Sequence, residues 1–177
     1  MTDQQLIDNL RIVPDFPLKG IQFFDVTTLF KDPACMEEVV SRICNLYKDK
    51  GVTKVVGIES RGFIAAAAVA CRLGAGFVPI RKPGKLPAQT VSESYAKEYG
   101  TDTIEIHSDA ISPGDVVLIH DDILATGGTA GAAVSLVRKF SPAAVYLNFI
   151  IDITDVPRTA GFPAGVQVDS LLSLSEN

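Results

Sequence analysis

The stretch "DVVLIHDDILATGGTA" at residues 115–130 decides the fold. Its first part, residues 116–119, is a short apolar run of the kind that forms a central strand. Two adjacent carboxylates, Asp121 and Asp122, follow, and a Thr-Gly-Gly-Thr turn then leads into a helix. The helix is predicted from apolar residues at helical spacing: Ala133, Leu136, Val137 and Phe140. A strand, a glycine-rich loop and a helix in this order are typical of a parallel α/β sheet.

The turn has the chemistry of a phosphate site. Backbone N–H groups and the hydroxyls of Thr126 and Thr129 converge where the positive end of the helix dipole lies. Gly127 and Gly128 let the backbone approach an anion closely, although glycines also serve in ordinary tight turns. The chain contains neither G-x-x-x-x-G-K-[ST] nor G-x-G-x-x-G after a strand, so a Walker-type or dinucleotide loop is not indicated.

The two aspartates limit the kind of phosphate-containing ligand that the turn could bind. Asp121 and Asp122 would repel a phosphate, but their carboxylates can accept hydrogen bonds from vicinal hydroxyls. A sugar phosphate carries hydroxyls a few ångströms from its phosphate. The stretch therefore indicates a sugar-phosphate site, with helix capping as the alternative role of the acidic pair.

Strands and helices alternate along the rest of the chain. Asp32 can cap a helix that has Pro33 at its first position and ends by Gly51, and an alanine-rich helix is predicted at residues 63–73. Further strands are predicted at residues 53–58, 76–82, 101–107 and 143–152. The sequence therefore predicts a single α/β domain over residues 1–177, with a central, mostly parallel sheet flanked by helices. Ligands are expected where strands end and helices begin.

One segment lacks a steady apolar period. Residues 83–100, "PGKLPAQTVSESYAKEYG", are polar and rich in turn formers. A loop of this length in a compact domain is usually functional or disordered. We expect a flexible loop here, with a surface excursion of no function as the alternative.

The composition limits the partners of the protein. A formal net charge of −5 over 177 residues argues against binding to a nucleic-acid backbone, but it leaves room for a local cationic pocket. No apolar run approaches the ~20 residues of a membrane span, and the acidic N-terminus does not resemble a signal peptide. We therefore expect a cytoplasmic protein with neither nucleic-acid nor membrane partners. The three cysteines read as reduced thiols, and the two histidines lack the spacing of a zinc site.

The decisive stretch resembles a known signature. "VVLIHDDILATGGT" is similar to the motif with which type I phosphoribosyltransferases bind 5-phospho-α-D-ribose 1-diphosphate (PRPP). Further segments resemble those members of the family that use adenine: "FPLKGIQFFDVTTLFKDP", "GIESRGF", "RKPGKLP", "EYGTDTIEIH" and "NFIIDITD". The resemblance implies the type I phosphoribosyltransferase fold, with a small N-terminal hood over about residues 1–32.

The resemblance also implies a reaction. Such enzymes transfer the 5-phosphoribosyl group from PRPP to N9 of adenine, which gives AMP and diphosphate in purine salvage. They use Mg²⁺, and part of the cationic cluster of one subunit reaches the neighbouring site, so a homodimer is implied. Positive charge develops on the sugar as diphosphate leaves C1′, and nearby carboxylates can stabilise it.

The motif positions imply three binding sites. Asp121 and Asp122 would meet the ribose hydroxyls, directly or through a metal-bound water. The 5′-phosphate loop would comprise Ala125, Thr126, Gly127, Gly128 and Thr129. The diphosphate site would comprise Glu59, Ser60, Arg61 and Gly62, together with Arg81, Lys82 and Lys85. A solvated charged face is the alternative for these cations.

The base-side residues also follow from the resemblance. Phe23 would stack on adenine, while backbone groups of Gln22 and Phe24 would read its edge. Glu98 would act as a loop carboxylate near the base, and Tyr99 would help residues 83–100 to close as a catalytic lid. An exposed acid without a role is the alternative for Glu98.

Two positions depart from the pattern. Phe24 stands where many relatives have arginine, and His120 stands where valine or another residue often precedes the acids. We expect His120 to be a packed residue rather than a catalytic one. Two other functions remain open at this stage: a phosphoribosyltransferase for another base, and a non-catalytic regulator that senses PRPP.

Overall fold

The computed structural model describes residues 1–16, 18–96, 100–159 and 161–175. Five helices and nine strands lie in these ranges. The helices are α1 (Asp3–Asp8), α2 (Thr27–Lys31), α3 (Pro33–Tyr47), α4 (Gly62–Leu73) and α5 (Gly128–Arg138). The strands are β1 (Arg11–Pro14), β2 (Gln22–Asp25), β3 (Lys54–Ile58), β4 (Gly76–Ile80), β5 (Thr90–Ala96), β6 (Thr101–His107), β7 (Val116–Leu124), β8 (Ala144–Ile153) and β9 (Gln167–Leu174).

The centre of the fold is a five-stranded parallel sheet in the order β4-β3-β7-β8-β9. Helices α3 and α4 pack on one face, against Val55 and Leu118. Helix α5 and the β5–β6 hairpin pack on the other face, against Val117 and Ile119. Because both faces are covered, the central strands are mostly apolar, and the parallel sheet between two layers confirms the predicted α/β architecture.

Helix α3 begins as the sequence predicts. The carboxylate of Asp32 accepts a hydrogen bond from the backbone N–H of Cys35 at 2.8 Å, and Pro33 occupies the first turn. The apolar stripe is buried and contains Val39, Val40, Ile43 and Tyr47. Its burial against the sheet explains why this segment is helical.

The N-terminal residues form a separate antiparallel pair, β1 with β2, flanked by α1 and α2. Leu6 and Phe24 are buried in the same core as α3 and α4. The segment predicted as a hood is therefore anchored by its apolar side chains, and β2 brings its other face towards the carboxyl ends of the sheet strands.

The prediction of an irregular loop over residues 83–100 is wrong for Thr90–Ala96. These residues form β5, which pairs with β6 in antiparallel register from Thr90↔His107 to Ala96↔Thr101. Within β5, Val91 and Tyr95 pack against the core, while Ser92 and Ser94 are exposed. The apolar alternation is thus too sparse to signal a strand, and pairing with β6 supplies what the local sequence lacks.

Three other boundaries differ from expectation. Strand β7 continues to Leu124, because parallel pairing with β8 extends through Asp121↔Phe149 to Leu124↔Asp152, so both aspartates lie within a strand. Helix α5 ends at Arg138, before the apolar residue Phe140 that was assigned to its stripe. Strand β9 was not predicted. In the described ranges, no helix has the length and apolar character needed to cross a membrane.

Candidate active site

The site lies where two neighbouring parallel strands end. Strands β3 and β7 pair through Gly57↔His120, so the loop after β3 and the acidic part of β7 meet at one edge of the sheet. A Cβ on Gly62 would lie 2.8 Å from the carbonyl oxygen of His120 and 2.9 Å from Oδ1 of Asp121. Only glycine lets the start of α4 approach the acids this closely.

The two aspartates are not equivalent, because successive side chains of a strand point to opposite faces. Asp121 lines two adjacent cavities. Asp122 has a side chain that is only 6% exposed, and its Oδ2 accepts a hydrogen bond from Nε of Arg61. Of the two carboxylates predicted to meet the ribose, Asp121 lines these cavities and Asp122 is paired with Arg61.

Asp121 is costly to ionise in this environment. Burial raises the pKa of its carboxyl well above the usual value, and the charge of Asp122 raises it further. The backbone N–H of Asp122, 3.0 Å from Oδ1, and the nearby charge of Arg61 oppose this shift only in part. A carboxylate held in this way is stabilised by any positive charge that approaches it.

The predicted phosphate loop forms one of the cavities beside Asp121, with a volume of about 110 Å³. Its lining is Asp121, Ile123, Leu124, Ala125, Thr126, Gly127, Gly128, Thr129, Ala130 and Phe149. Gly127 has φ of 84°, and its carbonyl accepts the first helical bond of α5 from Gly131 at 2.8 Å. The amides at the start of any helix lack partners within it, so they are available to an anion here. All five predicted phosphate-loop residues line the cavity.

The second cavity beside Asp121 has a volume of about 150 Å³. Its lining is Ile58, Glu59, Ile80, Arg81, Lys82, Tyr95, Ile104, Asp121 and Thr129. It therefore contains three of the residues predicted to bind diphosphate. Asp121 and Thr129 lie on the boundary between this cavity and the phosphate loop.

The predicted cationic cluster is more nearly neutral than the sequence indicates. Arg81 donates to both oxygens of Glu59 at 3.0 and 3.2 Å, and the bond with Arg81 lowers the pKa of Glu59. Lys82 forms an ion pair with Asp102, and its backbone N–H bonds to Glu59 at 2.9 Å. Lys85 is exposed, and its carbonyl accepts a bond from Arg81 at 3.3 Å. Glu59 therefore positions cations rather than binding an anion itself.

Tyr95 is a site residue that the sequence reasoning missed. Its hydroxyl lies 2.8 Å from Oγ1 of Thr129 and 3.2 Å from Oδ2 of Asp102. Its ring covers Gly128, where a Cβ would be 3.4 Å from Cδ2. The β5–β6 hairpin is thus joined directly to the phosphate loop. Alternation in β5 is the only sequence signal that could have found this contact.

Three of the residues predicted to contact the base, Gln22, Phe23 and Phe24, lie on β2. Phe23 is half-buried, with its ring 5.2 Å from that of Phe16 and 5.3 Å from the guanidinium of Arg61. Phe24 points the other way and is buried in the core. The side chain of Phe24 therefore packs in the core and lines neither cavity. Gln22 is half-buried at the first position of β2, and the predicted Glu98 and Tyr99 lie outside the described residues.

His120 is a packed residue in the structure, only 1% exposed. Its Nδ1 lies 2.9 Å from Oδ1 of Asn148 and therefore carries the hydrogen of that bond. Nε2 is buried and has no hydrogen-bond partner among the residues described. Burial lowers the pKa of His120 to about 4, while Asn148 and Asp122 act in the opposite direction. The ring is neutral at physiological pH.

A protein-built metal cage is not found in the described part of the chain, where no three His, Cys, Asp or Glu side chains cluster as metal ligands. Magnesium commonly keeps several waters and binds through one or two carboxylates plus the phosphates of a substrate. The single carboxylate of Asp121, between two anion-sized cavities, fits that mode of binding.

Comparison with known proteins agrees with this geometry. The family model of the phosphoribosyl transferase domain matches residues 25–160. The chain belongs to the phosphoribosyltransferase family. Among curated family members, the adenine phosphoribosyltransferase of Bacteroides thetaiotaomicron is 58% identical over 174 residues, covering 98% of this chain and 99% of the relative.

Solved phosphoribosyltransferase structures confirm the predicted fold. The adenine phosphoribosyltransferase of Rhodothermus marinus aligns with a TM-score of 0.91 at 49% identity, over 97% of each chain. The enzyme of Giardia lamblia, in complex with 9-deazaadenine, aligns with a TM-score of 0.87 at 37% identity, over 98% of each chain.

Proposed function

We propose that the protein transfers the 5-phosphoribosyl group of PRPP to N9 of adenine, giving AMP and diphosphate. One observation carries the chemistry: Asp121 lies between a phosphate-sized cavity and a second cavity lined by Arg81 and Lys82. PRPP has a phosphate at one end and a diphosphate at the other, with the reacting C1′ on the diphosphate side. Adenine as the base is supported by the relatives that share about half or more of the sequence.

In the reaction, the first task of the protein is to fix the two ends of PRPP. The amides and hydroxyls of Ala125–Thr129 hold the 5′-phosphate. Arg81 and Lys82 hold the diphosphate, for which they exchange part of their bonding with Glu59 and Asp102. Because ion pairs with protein carboxylates already fix these cations, little further ordering is needed when the substrate binds. Ser60, Arg61, Gly62 and Lys85 complete this end.

Asp121 acts as diphosphate departs. Positive charge grows on the sugar ring near C1′, and the carboxylate stabilises it electrostatically. The raised pKa of Asp121 means that its charge is poorly solvated before the reaction, so the gain on meeting a cation is large. Asp122 contributes by holding Arg61, and it reaches the ribose only if that ion pair opens.

Asp121 would help to hold Mg²⁺, directly or through water, and the ion would supply positive charge that neutralises the leaving diphosphate. Asp121 lines both cavities, so its carboxylate is available to such an ion. Asp122 is committed to Arg61 in the structure.

Adenine stacks on Phe23 in this proposal. The guanidinium of Arg61 now covers that ring, so adenine takes its place when Arg61 turns to the diphosphate. Glu98 accepts a proton from the purine or stabilises the forming cation, and Tyr99 helps residues 83–100 to exclude water from the activated sugar. These last two roles rest on the family motif.

We also infer a cytoplasmic homodimer that serves purine salvage. Phe77 is an exposed apolar side chain of β4, the edge strand of the central sheet, and Ile64 is exposed on α4, the helix that packs against β4. Arg81 follows β4 directly, and Lys85 lies four residues further along the chain. A partner subunit on this edge would therefore lie close to the diphosphate site.

The experiment is a base-selectivity assay. The protein is incubated with PRPP, Mg²⁺ and one of adenine, hypoxanthine, guanine, xanthine or uracil, and nucleotide formation is followed. We expect AMP from adenine and much slower conversion of the other bases. Conversion of no base would indicate a PRPP-sensing regulator, and preference for hypoxanthine or guanine would overturn the adenine assignment.

A further inference from the structure

The segment after β8 contains two residues, Arg158 and Thr159, that form hydrogen bonds with the backbone of the phosphate loop. Nη1 of Arg158 donates a hydrogen bond to the carbonyl oxygen of Ala125, and Nη2 donates to the carboxylate of Asp152. Asp152 lies beside Leu124 in the sheet, so the guanidinium spans the carboxyl ends of β7 and β8. The bond between Arg158 and Ala125 joins residues 33 positions apart in the sequence.

Thr159 makes the next contact with the same loop. Its backbone N–H donates to the carbonyl oxygen of Thr126 at 2.9 Å, and its hydroxyl donates to the same oxygen at 3.2 Å. Two successive carbonyls of the loop, those of Ala125 and Thr126, are therefore bound by one short segment.

The hydrogen bonds to the two carbonyls also fix the direction in which the next N–H groups of the loop point. The C=O and N–H of a trans peptide point in opposite directions. When the carbonyl of Ala125 points to Arg158, the N–H of Thr126 points away from it. The bond between Thr126 and Thr159 directs the N–H of Gly127 in the same way. Neither Arg158 nor Thr159 lines the 110 Å³ cavity at the phosphate loop, whereas the three loop residues do.

We propose that Arg158 and Thr159 are positioning residues that direct the N–H groups of Thr126 and Gly127 at the 5′-phosphate. The inference rests on the proposed function, because it takes the loop to be the 5′-phosphate site. Arg158 does not touch the phosphate in this account. It acts only through the backbone of Ala125, and its Cδ also packs near Gly127, 3.7 Å from the place of a Cβ there.

Calorimetric titration tests the proposal with two probes, ribose 5-phosphate and diphosphate with Mg²⁺. Arg158→Met should raise the dissociation constant of ribose 5-phosphate about tenfold, since it removes a charge-assisted hydrogen bond that orders the loop. The dissociation constant of diphosphate should change less than twofold. Arg158→Lys should give an intermediate loss, because it keeps the charge beside Asp152 but offers a less rigid set of donors.

Two further variants serve as controls. Arg72→Met removes an arginine paired with Glu37 on the α3–α4 surface, and it should change neither dissociation constant. Thr159→Val keeps the backbone N–H but loses the hydroxyl, and it should weaken ribose 5-phosphate binding about threefold. Thr159→Val also tests the proposal if Arg158→Met does not fold.

A spectroscopic readout separates positioning from direct contact. In amide ¹H–¹⁵N spectra of ligand-free protein, the resonances of Thr126 and Gly127 should move in Arg158→Met, because a carbonyl partner has been lost. If they move only in the presence of ribose 5-phosphate, Arg158 contacts the ligand and the proposal is wrong. Unchanged affinity for ribose 5-phosphate, or an equal loss for diphosphate, would also overturn it. A wild-type protein that binds diphosphate but not ribose 5-phosphate would contradict the 5′-phosphate site and this inference together.

Discussion

The carboxylate of Asp121 is buried, so its negative charge is poorly solvated when no ligand is bound. Its pKa is raised, so ionised Asp121 costs folding free energy: stability falls as pH rises from the unfolded pKa through the folded one. We predict that Asp121→Asn raises the free energy of unfolding at pH 7 by on the order of 1 kcal/mol, because a neutral side chain of the same shape avoids burial of charge and repulsion from Asp122. Urea unfolding monitored by circular dichroism measures this change.

The stabilisation should disappear at low pH, where wild-type Asp121 is itself protonated. Asp109→Asn, at an exposed position, is the control and should change the free energy of unfolding by less than about 0.5 kcal/mol. A variant Asp121→Asn that is less stable than wild type at pH 7 would show that the carboxylate stabilises the fold, contrary to this account.

His120 predicts a pH dependence of stability. Its pKa is about 4 in the folded protein and 6.5 as the ordinary value, so the unfolded chain binds more protons between these limits. The contribution of the neutral ring to the free energy of unfolding is fully present above pH 6.5 and is lost as the pH falls towards 4. At about 1.4 kcal/mol per pH unit, lowering the pH from 7 to 5 should cost roughly 2 kcal/mol through this residue.

The matched variants are His120→Gln and His107→Gln, compared by urea unfolding at pH 7 and pH 5. Glutamine at position 120 keeps a donor for Asn148 but does not titrate. Lowering the pH from 7 to 5 should therefore reduce the free energy of unfolding of His120→Gln by about 2 kcal/mol less than that of the wild type. His107→Gln changes the other histidine and should leave the wild-type loss in place. Equal losses in all three proteins would show that His120 is not the titrating group.

The residues that sequence alone could assign are those whose chemistry lies in one contiguous stretch. Asp121 and the glycines of the predicted phosphate loop are of this kind, and they line one cavity. Arg158 and Tyr95 act on the same loop from 33 and 34 residues away, and no local pattern reports such contacts. The pairing of Arg81 with Glu59 was missed for the same reason.

The β5–β6 hairpin is the element whose role changed most between sequence and structure. Tyr95→Phe should keep the ring over Gly128 but remove the hydroxyl bonded to Thr129 and Asp102. We predict a loss of about 1–2 kcal/mol in the free energy of unfolding and a several-fold rise in KM for PRPP, with a smaller change in kcat. Unfolding and steady-state kinetics measure the two effects.

Tyr146→Phe provides the control, because Tyr146 lies near the start of β8, at the opposite end of the sheet strands. It should leave KM for PRPP unchanged. If Tyr95→Phe lowers stability but leaves KM as it was, the hairpin supports the fold without positioning the phosphate loop.

Elements with strong local signals were predicted well, whereas segments that pair without a clear apolar pattern of their own were not. Helix α3 has a cap, a proline at its first turn and a full apolar stripe, so its start at Pro33 followed from sequence. Strand β5 has only two side chains in the core, Val91 and Tyr95, and depends on β6. The continuation of β7 through the aspartates likewise depends on pairing with β8.

At the scale of the whole molecule, we predict that two copies of the chain form a dimer through β4, the edge strand of the central sheet. Phe77 is 39% exposed and Ile64 is 43% exposed on this side. We predict a dimer in sedimentation velocity, and we expect Phe77→Asp with Ile64→Asp to convert it to a monomer, because charges would be buried without partners at the interface. Activity should fall with dimer content, since the partner subunit would lie beside Arg81 and Lys85.

The control for this experiment is Leu46→Asp, an exposed apolar residue of α3 that is 42% exposed. It should remain a dimer with wild-type activity. A wild-type protein that sediments as an active monomer would contradict the prediction.

The central claim is that Asp121, between two anion sites, stabilises the charge that develops as diphosphate leaves C1′. The measurement is kcat for AMP formation from saturating PRPP and adenine with Mg²⁺, for wild type and Asp121→Asn, alongside the dissociation constant of ribose 5-phosphate. We predict that kcat falls by about 10²–10³-fold, while the dissociation constant changes only a few-fold. A kcat for Asp121→Asn within a few-fold of wild type, in a folded protein, would contradict the claim.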